Sequence, residues 1–186
     1  MYGLVNRAVE KLVCSRFGEP AWERIKARAG VDVEFFASNE LYPDSMTYGL
    51  VAAASAELGL PAAAILESFG EYWVLEVAPA GYGAMLDSAG RTLPDFLENL
   101  PHFHTRIAMI FPNLQPPRFE TSDRTPDSLV LHYHSNRTGL EPFLLGILRG
   151  LGKRFQVAVQ VDHIGSRNTG SDHETCRITW SAGGAA

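Results

Sequence analysis

The chain has 186 residues, of which 46% are hydrophobic and 20% are charged, and its formal net charge is -5. This length and composition are typical of one globular domain with a sizeable core, while the acidic balance and the absence of any Lys/Arg block argue against a nucleic-acid partner. No membrane-length apolar run or signal-peptide core is visible, and Cys14 and Cys176 suffice for neither a disulfide framework nor a cysteine zinc site, so we expect a cytoplasmic protein with both thiols buried.

Helical periodicity dominates the first two-thirds of the chain. A double i, i+4 apolar row that includes Val5 and Val9 predicts a first helix over residues 2–15. Further helices, several with proline in the first turn or glycine at the exit, are predicted over 19–29, 44–59, 61–73, 82–89 and 93–111. Asp44 or Ser45 would cap the third of these six helices, and Pro101 is predicted to kink or split the last.

The pattern changes after Pro116 and Pro117, where apolar residues begin to alternate. Strands are predicted around 129–133, 155–161 and 176–180, forming an antiparallel sheet. A strongly apolar helix over 140–152 lies between the first two strands. The predicted fold class is therefore α+β, with a helical N-terminal part followed by a mixed part. A small-residue tail, 182–186, is expected to fray.

Arg137 is the first candidate for a binding residue. Strand alternation places it on one face with Tyr133 and Ser135, continuing the apolar row of Leu129 and Leu131. A guanidinium buried there needs an anion, and its planar fork suits a carboxylate or a phosphate. Two partners remain open at this point: a bound acidic ligand, or a structural Asp or Glu.

His104 is the second candidate, because it replaces a hydrophobe on an inward helix stripe that also contains Leu97, Leu100, Ile107 and Phe111. It is either a neutral core histidine with two hydrogen bonds or a metal ligand. We interpret His102, His132 and His134 as surface or loop residues. One interior histidine is too few for zinc or non-haem iron but suffices for haem. The two propionates of haem would also supply the anions that Arg137 requires.

These residues resemble the haem nitric oxide/oxygen binding (H-NOX) family, relatives of the haem domain of soluble guanylate cyclase, and in particular its stand-alone cyanobacterial-type members. The resemblance runs from Met1 to about Ile178. The family's Tyr-x-Ser-x-Arg propionate motif matches Tyr133, Ser135 and Arg137, and its proximal histidine matches His104. Other matching stretches are 69–73, 111–117 and 150–155.

The resemblance implies one haem-binding domain over 1–181 with a four-stranded antiparallel sheet. Haem b would be buried between a helical subdomain, about 1–65, and a mixed subdomain, about 66–181. His104 would bind the iron, and Pro117 would press on the porphyrin and help to hold it out of plane.

The resemblance also implies a gas preference. Phe143 matches the position at which oxygen-binding members have a hydrogen-bonding tyrosine, so nitric oxide and carbon monoxide at ferrous iron are favoured over dioxygen. Trp73 would lie near the distal side and offer an indole N–H as a donor. The other candidate pocket residues are apolar: Val5, Val9, Leu144 and Ile147. None of these candidates offers acid–base catalysis, so no enzyme activity is expected.

In the family, nitric oxide weakens the iron bond to the proximal histidine, here His104, and the helical half moves against the sheet half. The expected partner is a separate histidine kinase, cyclic-di-nucleotide enzyme or chemoreceptor. Two other functions remain open. One is a binding module for another amphipathic acid, such as a bilin or fatty acid, anchored by Arg137. The other is a metal hydrolase built on four histidines: His102, His104, His132 and His134.

Overall fold

The computed structural model describes residues 1–182, in which seven α-helices accompany one four-stranded antiparallel sheet. The helices are α1 (Gly3–Phe17), α2 (Glu19–Ala29), α3 (Asp44–Leu58), α4 (Ala62–Tyr72), α5 (Ala78–Ala89), α6 (Leu93–Ile110) and α7 (Glu141–Arg154). The strands are β1 (Arg118–Ser122), β2 (Ser128–His134), β3 (Val157–Gly165) and β4 (Glu174–Ala182). The α+β fold class is confirmed.

The helix predicted to begin at Tyr82 begins earlier. A π-helical segment, Trp73–Val77, joins α4 directly to α5, so helical structure continues from Ala62 to Ala89. Tyr82 leaves helical geometry, with φ -140° and ψ 24°, which places a kink where the prediction had placed a helix start. A π-helix has hydrogen bonds between residues i and i+5 rather than i and i+4, and such segments are frequent at functional sites.

Pro101 does not split α6, which runs without interruption from Leu93 to Ile110. Proline removes only one backbone hydrogen bond, and the buried side chains of Leu97 and Leu100 anchor the helix immediately before it. After Pro101, the hydroxyl of Thr105 donates to the proline carbonyl at 2.9 Å. The helix thus reaches His104 with its inward stripe intact.

The sheet has the strand order β1-β2-β4-β3, with β2 paired to β1 and β4. The inner face carries the partners Phe119 and Tyr133, which pack against the mixed core together with Leu131 and Ile178. Two predicted boundaries are wrong. Phe155 is the C-cap of α7 rather than part of β3, which begins at Val157. β2 ends at His134, so the strand alternation expected through Ser135 and Arg137 does not continue that far.

The buried hydrophobic side chains form two separate cores. The helical core is built from α1 to α4, and the mixed core from α5 to α7 and the sheet. Trp73 packs against both cores. Of the predicted frayed tail, Ala182 ends β4, and residues 183–186 lie outside the described part of the chain.

α4 and α7 approach each other at glycines. A Cβ at Gly70 would overlap the backbone of Phe143, and a Cβ at Gly146 would overlap the backbone carbonyl of Glu67. The two backbones are therefore in direct contact. This contact sets where the α7 side chains Phe143, Leu144 and Ile147 lie.

One of the two thiols differs from the prediction that both are buried. Cys176 is buried, and burial raises its pKa to about 12, whereas Cys14 is partly exposed near the end of α1.

Within residues 1–182, no single helix is long and apolar enough to span a membrane. The two consecutive helical segments Asp44–Leu58 and Ala62–Ala89, bent by 114°, are together long and apolar enough for a span, by length and composition alone.

Candidate functional site

His104 lies on α6 above the sheet, with its ring stacked on that of Phe119 at a centroid distance of 5.4 Å. Its Nδ1 atom is buried and has no hydrogen-bond partner. Burial lowers the pKa of His104 to about 4, so the imidazole is neutral near pH 7. The two hydrogen bonds that a purely structural core histidine would make are not formed with any of the described residues. A neutral, unpartnered imidazole is what a metal ligand requires.

Tyr133, Ser135 and Arg137 come together at one end of β2, but not by strand alternation. β2 ends at His134, and the hydroxyl of Ser135 accepts a hydrogen bond from the backbone N–H of Arg137 at 3.1 Å. Serine hydroxyls often form such local turns, which compete with extended backbone. Tyr133 is buried on the inner face, and burial raises its pKa, so it is a neutral phenol.

Arg137 already has an anionic partner in this structure. Its Nε donates to the Asp44 carboxylate at 2.7 Å, and its Nη1 donates to the backbone carbonyl of Gln115 at 2.9 Å. Of the two partners that the sequence left open, the structural acid is the one present here. The side chain of Arg137 remains 24% exposed, and its Nη2 makes no hydrogen bond within residues 1–182. One edge of the guanidinium is therefore available to a further anion.

Asp44 was missed as a site residue because it was predicted to be a helix cap. Pro43 is the N-cap of α3, and the Asp44 side chain makes no cap hydrogen bond. Its carboxylate instead pairs with Arg137 and with the amino group of Met1. Burial raises the pKa of Asp44, but the hydrogen bonds from these two cations outweigh burial and lower it. The only sequence signal was an acid in the first turn, which has several ordinary explanations.

The predicted distal residues border the two cores. Phe69, Trp73 and Phe143 form an aromatic cluster, with Phe143 5.2 Å from Phe69 and 6.5 Å from Trp73 between ring centroids. The remaining candidates divide by burial. Val9 lies in the helical core and Leu144 in the mixed core, both buried, whereas Val5 and Ile147 are partly exposed.

Pro117 immediately precedes β1 and is half-buried. It follows Gln115, whose carbonyl receives Arg137, and lies two residues before Phe119, on which the ring of His104 stacks. Its neighbour Pro116 is exposed. Pro117 thus lies in a segment that contacts both candidate binding residues, Arg137 through Gln115 and His104 through Phe119.

The other histidines are arranged differently from the prediction. His102 is exposed as expected, but His132 and His134 are partly buried on the outer face of β2 and converge with His173. His132 Nδ1 lies 2.9 Å from His173 Nε2, and the rings of His134 and His173 stack at 4.1 Å. Pairing of β2 with β4 creates this cluster, so the sequence spacing of the histidines could not reveal it.

The four histidines proposed for a metal hydrolase are split, because His104 faces the inner side of the sheet and His132 and His134 face the outer side. In the described part of the chain, no group of three or more His, Cys, Asp or Glu side chains is arranged to hold a metal ion. The geometry therefore does not support that alternative.

The residues fit haem. His104 supplies an unpartnered neutral imidazole between apolar surfaces, and Arg137 offers a free guanidinium edge at the rim. Partly exposed apolar side chains pack against the helical core (Val5), the mixed core (Ile147) or both (Trp73). A large apolar ring with two carboxylates requires this combination.

Comparison with known proteins identifies the family. A family model described as Haem-NO-binding matches residues 2–163. Soluble guanylate cyclase 89Db of Drosophila melanogaster is 26% identical over 155 residues, which cover 83% of this chain and 23% of that protein. The beta-2 subunit of soluble guanylate cyclase from Rattus norvegicus is 35% identical over 92 residues, covering 50% of this chain and 14% of the subunit. The chain thus spans about a quarter or less of the length of these curated relatives.

Solved structures show the same fold. The H-NOX protein from S. oneidensis in the Fe(II)NO ligation state superposes with a TM-score of 0.88 at 19% identity, covering 97% of this chain and 99% of that chain. The Fe(II) unliganded H-NOX protein from K. algicida gives a TM-score of 0.82 at 21% identity, covering 97% of both chains. From the family match over residues 2–163 and this shared fold, we conclude that the chain belongs to the Haem-NO-binding family and contains an H-NOX domain.

Proposed function

We propose that residues 1–181 form a single domain that binds haem b and senses nitric oxide and carbon monoxide at ferrous iron. H-NOX domains bind haem and are gas-sensing modules rather than catalytic domains. The observation that carries the proposal for this chain is the state of His104: a partly buried, neutral imidazole whose buried Nδ1 has no partner among the described residues. An unpaired polar atom in a core is costly, and ligation of iron by the ring gives it a function.

The rim residues would hold the carboxylates of the cofactor. Tyr133 and Ser135 offer hydroxyls, and Arg137 offers the free edge of its guanidinium, beside the Asp44 pair. Pro117 would pack against the porphyrin from the segment before β1. Haem, when bound, supplies an iron with one coordination position open to a diatomic gas.

Gas preference would follow from the distal side chains. Phe143 carries no hydrogen-bond donor, and the other candidate distal residues are apolar: Val5 and Val9 at the helical core, and Leu144 and Ile147 at the mixed core. Bound dioxygen gains more from a donor than nitric oxide or carbon monoxide does, so this lining disfavours dioxygen. Trp73 is the exception, because its indole N–H donates no hydrogen bond to the described residues and lies in the same aromatic cluster.

Signalling would use relative movement of the two cores, which meet at Trp73. We propose a cytoplasmic partner protein of the histidine kinase, cyclic-di-nucleotide enzyme or chemoreceptor type.

The optical spectrum of the purified protein tests the proposal. We expect a ferrous Soret band that shifts with nitric oxide and carbon monoxide but not with air. His104→Gly should lose haem on gel filtration and retain it when imidazole is added. His102→Gly is the matched control, because His102 is exposed on the same helix two residues away, and its spectrum should match the wild type.

Two outcomes would overturn the proposal. A protein that stays colourless when produced with excess haemin does not bind haem. Unchanged haem retention in His104→Gly would show that His104 does not hold the iron, as expected if the site serves another amphipathic acid, such as a bilin or fatty acid, anchored by Arg137.

A further inference from the structure

Glu174 is a fully buried carboxylate on β4, opposite Tyr133 of β2. Its Oε1 accepts from the backbone N–H of Arg167 at 3.2 Å and from Nε of the same residue at 3.3 Å. Burial raises the pKa of Glu174, but hydrogen bonds from Ser166 and Arg167 outweigh burial and lower it, so the carboxylate is charged. A buried charge of this kind requires a fixed partner. Arg167 is that partner at Oε1, while His163 Nε2 lies 3.2 Å from Oε2.

Arg167 uses its other two nitrogens on the turn that follows β2. Nη1 donates to the carbonyl of Ser135 at 2.8 Å, and Nη2 donates to the carbonyl of Arg137 at 2.9 Å. A single planar guanidinium therefore connects the buried carboxylate to both ends of the segment Ser135–Arg137. The side chain is largely enclosed, at 22% exposure, and Glu141 of α7 lies 3.6 Å from its Nη2.

The backbone of the segment Ser135–Arg137 has little other support, although the Arg137 side chain is bonded to Asp44 and Gln115. β2 ends before it, and among the described residues it makes no backbone–backbone hydrogen bond outside the helices and strands. Its internal contact is the bond from the Arg137 N–H to the Ser135 hydroxyl. Without Arg167 this turn would lose both hydrogen bonds to its carbonyls, and the direction of the Arg137 side chain would be less defined.

We propose that Arg167, held by buried Glu174, is a positioning residue that orients the Ser135–Arg137 turn for binding the carboxylates of the cofactor. The proposal rests on the proposed function, because it assigns Arg137 to the haem propionates. Arg167 itself acts through the backbone of the turn. Residues that orient a binding group without contacting the ligand commonly contribute about tenfold or more to affinity.

The test uses Arg167→Lys, which keeps the positive charge beside Glu174. One ammonium group cannot serve the carboxylate and both carbonyls with the geometry of a guanidinium. Arg154→Lys is the matched control, because Arg154 is 21% exposed and pairs with Asp87, away from this turn. For each variant, haem loss to excess apomyoglobin is timed with protohaem and with its dimethyl ester, which has no free carboxylates.

We expect Arg167→Lys to lose protohaem about tenfold faster than wild type. The rate for the dimethyl ester should be unchanged, and Arg154→Lys should match wild type with both compounds. In an Arg137→Ala background, Arg167→Lys should have no further effect, because the two residues act on the same interaction. Equal acceleration with both compounds would mean a general structural role and would overturn the proposal. Unchanged protohaem loss would overturn it while leaving haem binding intact.

A measurement on the apoprotein separates this proposal from the proposed function. Hydrogen exchange at the Arg137 amide should be faster in Arg167→Lys than in wild type or Arg154→Lys, whether or not haem binds. If the amide exchanges at the same rate in all three proteins, Arg167 does not hold the turn.

Discussion

Arg137 and Asp44, 93 positions apart in the chain, form an ion pair with 2.7 Å between Nε and Oδ2. Asp44 opens α3 in the helical core, whereas Arg137 lies in the turn after the central strand β2. The pair therefore ties the helical part to the sheet part, at the guanidinium that would also receive the cofactor. Contact between the two parts and the proposed ligand binding would therefore depend on the same side chain.

Asp44→Asn should strengthen haem binding, because the carboxylate would no longer neutralise the guanidinium of Arg137 that would receive the propionates. We expect haem affinity to rise several-fold, and the urea-derived unfolding free energy of the apoprotein to fall by only about 0.5 kcal/mol, since both side chains are partly exposed. Glu57→Gln, at the other end of α3, is the control, because Glu57 pairs with Arg24 and should not affect haem titration. Weaker haem binding in Asp44→Asn would show that Asp44 supports the site rather than competing for it.

The apoprotein should lose stability as the pH falls from about 6.5 to 4, in part because of His104. Its folded pKa of about 4 lies below the unfolded value, so the unfolded chain takes up a proton in this range while the folded chain does not. The maximum loss from this residue is about 3 kcal/mol. Urea unfolding of wild type and His104→Leu at several pH values isolates it from Asp44 and Glu174, which also lose stabilisation in acid. Identical slopes in the two proteins would contradict the assignment.

Local sequence features predicted most of the helices. The apolar stripe of α6 continues through Pro101, so its length was nearly correct despite the proline. The helix predicted at Tyr82 had a correct end but a late start, since Pro79 and Gly81 obscured the continuous helix from Ala62. Strand β1 left little pattern, because Phe119 is the only buried residue among its five. Periodicity detects buried faces, and β1 has almost none.

The candidate site was predicted where one residue stood out from its pattern, as His104 and Arg137 do. The residues that bond to Arg137 and its turn were missed, because they come from distant parts of the chain. Asp44 reaches Arg137 from α3, and Arg167 reaches the same turn from the loop before β4. Such partners depend on how helices and strands pack, which spacing within one element does not encode.

Gly146→Ala should destabilise the protein strongly, because the added Cβ would overlap the carbonyl of Glu67 on α4. Separating α4 from α7 to make room should cost about 2–3 kcal/mol or more, as in other overpacked sites. Gly49→Ala is the matched control, since it lies inside α3 with no atom within 4 Å of the new Cβ, and it should stabilise by about 0.5–1 kcal/mol. Urea denaturation of both variants checks the pair. Equal effects at the two sites would contradict tight contact between α4 and α7.

Phe143→Tyr should raise dioxygen affinity about tenfold, the value of one hydrogen bond at a buried site. Trp73→Phe tests the remaining donor, because Trp73 lies in the same cluster, 6.5 Å from Phe143 between ring centroids. If the wild type forms no complex in air, Trp73→Phe should behave identically, and carbon monoxide affinity should change little in either variant. Absorption spectra during gas titration give these affinities. A Phe143→Tyr protein with wild-type dioxygen affinity would place Phe143 away from the gas.

Pro117→Ala should flatten bound haem even without a gas ligand, because alanine removes the rigid ring that the half-buried Pro117 presents in the segment before β1. Pro116→Ala changes the same kind of residue one position earlier, where the side chain is exposed, and should leave the haem distorted as in wild type. Resonance Raman out-of-plane modes of the ferrous proteins measure the distortion. Because both substitutions relax the backbone before β1 to a similar degree, equal flattening would assign the effect to backbone rigidity. Flattening confined to Pro117→Ala would assign it to direct contact of that ring with the porphyrin, and no flattening in either protein would remove Pro117 from the site.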